Sequence, residues 1–557
     1  MIEDRLSALV AEALVGVFAD LGMEIADFPI EFSKPRRKQF GDFSTNVALV
    51  MGAKIDLSPR ELAERIVEHL PSTELIRRAE VAGLGFINLH VADDWLRDVL
   101  REVAACDEAY GRAEPLGRSV QVEFVSANPT GPLHIGHARN ATLGDAIARL
   151  LEAAGWRVER EYYFNDAGGQ MDRFGQSVEA RYLQLLGRVA DVPEDGYHGE
   201  YIVDIARDIL DAEGPAPADL PAGDRAARIL ELGVRRVLGQ TARTLERFGV
   251  RFDVYISERE LEQSGEIEAA VEQLREAGYA YDAGGAIWFR STDFGDDKDR
   301  VVIRSNGSHT YFGADCAYLI DKFRRGFDHV IYVWGADHHG DVARVRGAAR
   351  ALGFDPEAVE MVIYQFVSFL RAGEPVPMSK RAGTFISLDE LIDEVGADAA
   401  RFTLLSQSND STMSFDIEVV KQQSMENPVY YVQYGHARIA SILRTATERG
   451  IALLPIEQVD LAQLRQESEH DLVRAIADFP ALVASAAAAR APYRLTHFSQ
   501  ELAARFHRFY TECRVISDDA GLTQARLWVC VAAKRVIANA LELLGVSAPE
   551  SMERIDA

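Results

Sequence analysis

No run in this 557-residue chain approaches the roughly 18 consecutive apolar residues of a membrane-crossing helix. The opening residues, MIEDRL, carry acids where a secretory leader would carry bases, so neither insertion nor export is expected and the cytoplasm is the expected location. Cysteine is scarce: Cys106, Cys316, Cys513 and Cys530 lie far apart with no CxxC pair. That spacing argues against a disulfide framework and against thiolate zinc sites, and leaves all four to be expected as buried hydrophobes. Lysine is scarce too, with eight among the 60 basic residues. A general cationic surface is also missing. The net charge of −27 opposes a polyanionic partner, because phosphate contacts need a basic face. The acidity is uneven, however: residues 191–300 carry a net −12 and residues 416–557 only −3.

At this length one core is not enough and three or four units are expected. Leu6, Leu9, Val10, Ala13, Leu14, Val17 and Phe18 recur at helical period before Gly22, which predicts an amphipathic helix at the start. The stretch KPRRKQFGDF follows, with Lys34, Arg36, Arg37 and Lys38 beside Phe40 and Phe43; a solvated turn and a nucleic-acid contact both fit it. INLHVAD reads as the closing strand of a small α+β domain, residues 1–112. From residue 113 the pattern changes. VQVEFV is a short β-rich run of the kind buried on both faces of a parallel sheet, and the helix expected over 135–154 stops before Gly155. HVIYVW and EMVIYQFV repeat the design after an insertion of roughly residues 170–300, so 113–415 is expected to be one α/β domain. Residues 416–557 hold long amphipathic runs, which predicts an all-α bundle.

Two motifs carry chemistry. In SANPTGPLHIGHARN, His134 and His137 flank Gly136 where strand gives way to helix. Side chains at i and i+3 share a helix face, and first-turn amides point outward with partial positive charge. An anion, a zinc ion or a packed core pair would each use such a turn; the zinc reading lacks a third ligand and an HExxH neighbour. The second motif, PVPMSKRAGTFISLDEL, puts Lys380 and Arg381 in a glycine-bearing loop before a helix announced by Ser387 and Glu390 as a capping box. A charged surface turn is the ordinary fate of such a segment, but paired cations on a loop can close over a polyphosphate.

Taken together, HIGH on the first α/β turn and MSK roughly 240 residues later resemble the two signatures of class I aminoacyl-tRNA synthetases. EFVSANPTGPLHIGH, YYFNDAGGQ, TYFGADCAY, VWGADHHG, MSKRAGTF and NPVYYVQYGHARI further resemble the bacterial type of the arginyl-tRNA synthetase family, over nearly the full length. One departure is Pro377, which stands where the lysine signature usually begins with lysine.

The resemblance implies a Rossmann-type parallel-sheet catalytic domain with an insertion, a small N-terminal α+β domain that contacts tRNA and an α-helical C-terminal domain that reads the anticodon. It implies ATP with Mg²⁺ as a substrate complex, arginine and arginine tRNA as partners, no protein-bound metal and a monomer. Carried over by position, His134, Gly136, His137, Met378, Ser379 and Lys380 bind ATP, with His134, His137 and Lys380 catalytic. Glu123, Asn128, Tyr311 and Asp315 bind arginine, and His338, or its neighbour Asp337 or His339, makes a further polar contact with it. Lys34, Arg36, Arg37, Lys38, Tyr430 and Tyr434 face tRNA, although tyrosines at such spacing are more often core. The residue types fit independently: a guanidinium ligand needs carboxylates, because planar charge-assisted pairs are the strong ones. A silent paralogue that binds tRNA or a protein partner and an adenylate-forming ligase for a small thiol or amine are the rivals; the intact histidines and lysine oppose the first and the C-terminal bundle opposes the second.

Overall fold

The computed structural model describes residues 2–23, 29–35, 38–52, 55, 57–376 and 385–552. The chain forms two compact units, one of residues 1–106, 452–477 and 511–532, the other of residues 107–451, 478–510 and 533–557. In the first, the Ile2–Asp20 helix buries Leu6, Val10, Ala13, Leu14, Val17 and Phe18 as its periodicity predicts. An antiparallel four-stranded sheet includes Phe86–Val91, the strand expected from INLHVAD. Asp93, just beyond it, takes hydrogen bonds from Arg474 at 2.7 Å and Arg77 at 3.0 Å.

The second unit is organised by a five-stranded parallel sheet in the order Val359–Tyr364, His329–Gly335, Ser119–Glu123, Arg157–Phe164, Val254–Ser257. The first strand in sequence is central, and successive crossovers go to one side and then to the other. The strand order therefore reverses between the parallel neighbours Ser119–Glu123 and His329–Gly335, which opens a crevice at their carboxyl ends. All five residues of Ser119–Glu123 are buried, as expected of a strand covered on both faces. One feature differs from expectation: Val254–Ser257, inside the stretch read as an insertion, pairs parallel with Arg157–Phe164 and completes the sheet. At four residues it is too short for periodicity to separate it from its helical surroundings.

The helix after the central strand begins as a short 3₁₀ turn, Ile135–His137, and continues as Ala138–Ala153. Gly144 lets it lie close to the sheet, since a Cβ there would meet Phe124 Cγ at 2.2 Å. Its Asp145 is bonded by Arg401, a fully buried side chain that also donates to Phe248 O and Leu544 O, each at 3.0 Å. A buried cation so completely paired holds three distant segments of this unit together. Of the four cysteines, Cys316, Cys513 and Cys530 are buried as expected, but Cys106 is exposed because the Trp95–Cys106 helix ends there. Among the described residues no helix is long and apolar enough to cross a membrane.

Candidate active site

The crevice is a cleft of about 820 Å³ lined by Glu123, Asn128, His134, Gly136, His137, Tyr311, Asp315 and His338, so every described residue expected for ATP and arginine faces one space. Met378, Ser379, Lys380, Arg36 and Arg37 lie outside the described residues, as does the side chain of Lys38.

Glu123 ends the central strand, and beyond Phe124 the residues Val125 and Ser126 adopt left-handed backbone at φ 67° and 44°. For a β-branched residue this is costly, and it persists because Asn140 Oδ1 accepts from Val125 N at 2.5 Å while Phe124 O accepts from Ser126 N at 2.9 Å. The bend brings the Ser126 hydroxyl back to donate to Glu123 Oε1 at 3.2 Å. Asn128 follows on the loop and donates to Gln170 Oε1 at 2.8 Å.

At the helix start, His134 Nδ1 accepts from Gly136 N at 3.1 Å, which places the proton of the neutral ring on Nε2. The rings of His134 and His137 lie 4.0 Å apart, and both belong to a reciprocal cap at the positive end of the Ala138–Ala153 helix. This arrangement suits an anion. Among the described residues no three His, Cys, Asp or Glu side chains gather as metal ligands. The far end of the lysine-bearing segment is attached here: His134 and Ser387 form an antiparallel bridge, with Ile135 N donating to Ile386 O at 3.1 Å and Leu388 N to Leu133 O at 2.8 Å. Ser387 then caps the Leu388–Val395 helix in the box anticipated from sequence.

Tyr311 and Asp315 occupy the first turns of the Tyr311–Arg324 helix, capped by Thr310. Tyr311 is 68% exposed at the mouth. Burial raises the Asp315 carboxyl to about 7, and the nearby charges of Glu123 and Glu258 push in the same direction. Glu258, which lines the same cleft, was not anticipated; burial raises it to about 7 as well, against a hydrogen bond from Tyr163. Its only sequence signal was the Ser257–Glu260 cap that starts its short helix. His338 is half-exposed at the rim, with Nδ1 3.0 Å from Asp341 Oδ2.

This cleft therefore holds an excess of carboxylate that is uncomfortable when ionised, and a cationic ligand would relieve it. The folded-state values of Asp315 and Glu258 lie above their ordinary ones, so the stability they contribute is complete below about 4 and is lost as pH rises through about 7. Arginine, which pairs with the ionised forms, should raise the melting temperature more at pH 8 than at pH 6, with proton release on binding at pH 6.5. An equal or smaller thermal shift at pH 8 would contradict this reading.

In the Pro428–Glu448 helix, Tyr430, Tyr431 and Tyr434 are half-buried rather than core, because Val429, Val432 and Gly435 take the inward face. Tyr431 and Tyr434 flank His507 at ring separations of 5.0 and 6.0 Å. Lys34 is exposed in the other unit.

The model of the class I (R) tRNA synthetase catalytic domain matches residues 100–182 and 219–441, that of the arginyl tRNA synthetase N terminal domain residues 4–91, and that of the DALR anticodon binding domain residues 432–552. An arginine--tRNA ligase of Heliobacterium modesticaldum is 48% identical over 99% of both chains, and one of Moorella thermoacetica is 49% identical over 95% of this chain and 94% of its own. The solved structure of a putative arginyl-tRNA synthetase from Campylobacter jejuni, 34% identical, superposes with a TM-score of 0.76 over 83% of this chain and 100% of its own. That of the Thermus thermophilus arginyl-tRNA synthetase, at 24% identity, shares the fold with a TM-score of 0.76 over 99% and 100%. The chain belongs to the arginyl-tRNA synthetase family.

Proposed function

We propose that this chain joins arginine to arginine tRNA in two steps within the cleft at the head of the parallel sheet. The arginine carboxylate attacks the α-phosphorus of ATP, supplied as its magnesium complex, to give arginyl-adenylate and pyrophosphate. A ribose hydroxyl at the tRNA 3′ end then takes the arginyl group and AMP departs. No side-chain nucleophile is required, so catalysis is positioning plus charge stabilisation. The observation that carries the reading is the pairing, in one cleft, of an anion-suited histidine turn with a surplus of carboxylates. His134 and His137 hold the α-phosphate, Gly136 lets adenine approach the backbone, and Met378, Ser379 and Lys380 serve the departing phosphates. Glu123 and Asn128 take the amino group, Tyr311 and Asp315 the guanidinium, and His338 a further polar contact at the rim. Arginine-dependent ATP–pyrophosphate exchange, with and without tRNA, tests the activity; exchange driven by another amino acid, or none in either condition, would refute it.

Three domains divide the labour: residues 1–112 contact tRNA, 113–415 catalyse and 416–557 read the anticodon, in a cytoplasmic monomer. Four cations between Lys34 and Lys38 supply a local basic patch on an acidic protein. Replacing Lys34, Arg36, Arg37 and Lys38 with alanine should weaken tRNA binding and flatten its salt dependence without changing anticodon preference, because phosphate contacts position without specifying. Tyr430→Ala and Tyr434→Ala should instead narrow the difference between wild-type and anticodon-changed transcripts. Affinity measured against salt for both sets decides, and an unchanged slope in the loop variant would reduce that run to a solvated turn. Point variants are preferable to removing 416–557, since residues 452–477 and 511–532 pack in the same unit as residues 1–106.

A further inference from the structure

Lys322 is one of eight lysines, and its side chain is wholly buried. It lies on one stripe of the Tyr311–Arg324 helix with Tyr311, Asp315 and Tyr318, spaced 4, 3 and 4 residues apart, so the helix face that starts at the cleft mouth with Tyr311 ends at Lys322 beneath it. Nζ sits 2.6 Å from Glu123 Oε2 and lies 4.1 and 3.8 Å from the ring centroids of Tyr318 and Tyr332. The register of the sheet explains the need for it. Tyr332, Glu123 and Glu161 are direct neighbours across three strands, so two carboxylates stand side by side on one face. Adjacent like charges disfavour a sheet, and the helix above answers each of them: Lys322 pairs with Glu123, while Arg325 stands 2.6 Å from Glu161 Oε2. A methionine would fill the same space but leave the Glu123 carboxylate buried without its cation, so the charge of Lys322 has a use beyond packing.

We propose that Lys322 is a positioning residue for arginine: its ammonium anchors Glu123 Oε2 and so presents Oε1, beside Ser126 at the cleft wall, to the substrate amino group. The inference rests on the assignment of Glu123 to that amino group. Lys322 touches no substrate; it acts through one oxygen of one carboxylate, while its two tyrosine rings keep the ammonium from swinging away.

Steady-state exchange kinetics of K322M, E123Q and the double variant E123Q/K322M test it. Losing a partner that orients a ligand typically costs roughly 10- to 100-fold in affinity. K322M should therefore raise the arginine KM by about that factor, with kcat and the ATP KM changed less than about threefold. Because Lys322 acts only through Glu123, the double variant should have the arginine KM of E123Q alone. It also removes both buried charges together, so it stays folded should K322M, left with an unpaired carboxylate, prove unstable. Multiplicative losses in the double variant, or an unchanged arginine KM in K322M, would overturn the role of Lys322 while leaving Glu123 in place. An unchanged arginine KM in E123Q would overturn the Glu123 assignment and this inference with it.

Discussion

Asp315→Asn should raise the arginine KM by roughly 30-fold to several-thousandfold, the equivalent of the 2–5 kcal/mol lost when one partner of a buried charge pair is removed. The substitution keeps the size and hydrogen-bonding shape of the side chain and removes its charge. Asparagine can still accept one hydrogen bond from a guanidinium, but not the bidentate, charge-assisted pair that separates arginine from the shorter, more hydrated lysine ammonium. The stability effect should have the opposite sign. In the unliganded protein the Asp315 charge is opposed by burial and by Glu123 and Glu258, so its removal should leave the melting temperature at pH 8 equal to or above that of the wild type. A variant that is more stable yet binds arginine worse is the mark of a site strained for its ligand. Tyr311→Phe, altering an exposed hydroxyl at the mouth, should cost less. If Asp315→Asn leaves the arginine KM unchanged, the guanidinium pocket lies elsewhere.

Lys380→Ala should lower the rate of adenylate formation by roughly 10²-fold or more, on the scale of a single lost electrostatic donor, and change arginine affinity far less. Five residues after Lys380 the chain reaches Phe385, whose ring lies 6.2 Å from that of His134, and the next three residues are bonded to the histidine turn. The described end of that segment, residues 385–388, thus meets the anion-suited end of the Ala138–Ala153 helix, and on this reading the Lys380 cation meets the negative charge that develops as pyrophosphate leaves. An interaction realised mainly in the transition state lowers kcat and spares ground-state binding. Burst kinetics of adenylate formation with arginine varied separate the two; parallel losses in arginine binding and rate would remove Lys380 from the phosphates.

Residues close together in sequence announced themselves, because local interactions suffice to form them. The Ile2–Asp20 helix shows its buried stripe in its period, the Ser387–Glu390 cap in two residue types at one spacing, and the His134–His137 turn in four consecutive letters. The resemblance to the family likewise rested on short contiguous motifs, and the residues it singled out, Glu123, Asn128, His134, His137, Tyr311, Asp315 and His338, line one cleft. What no local reading supplied was anything set by register or by the meeting of distant segments. Val254–Ser257 is an edge strand only because Arg157–Phe164 is there to pair with it. Glu258 joins the acidic cleft because its short helix starts at the end of that edge strand, and its raised carboxyl value is a property of burial beside other acids. Lys322, 199 residues from Glu123, becomes that residue's partner once helix and sheet are stacked in one register. Sequence by itself thus determined the strongly periodic helices and the short motifs on which the candidate side chains stand, since both depend on neighbours along the chain. Tertiary structure alone decided which of those side chains share charge, because Coulomb energy and desolvation depend on distance through space and on what has excluded water between them.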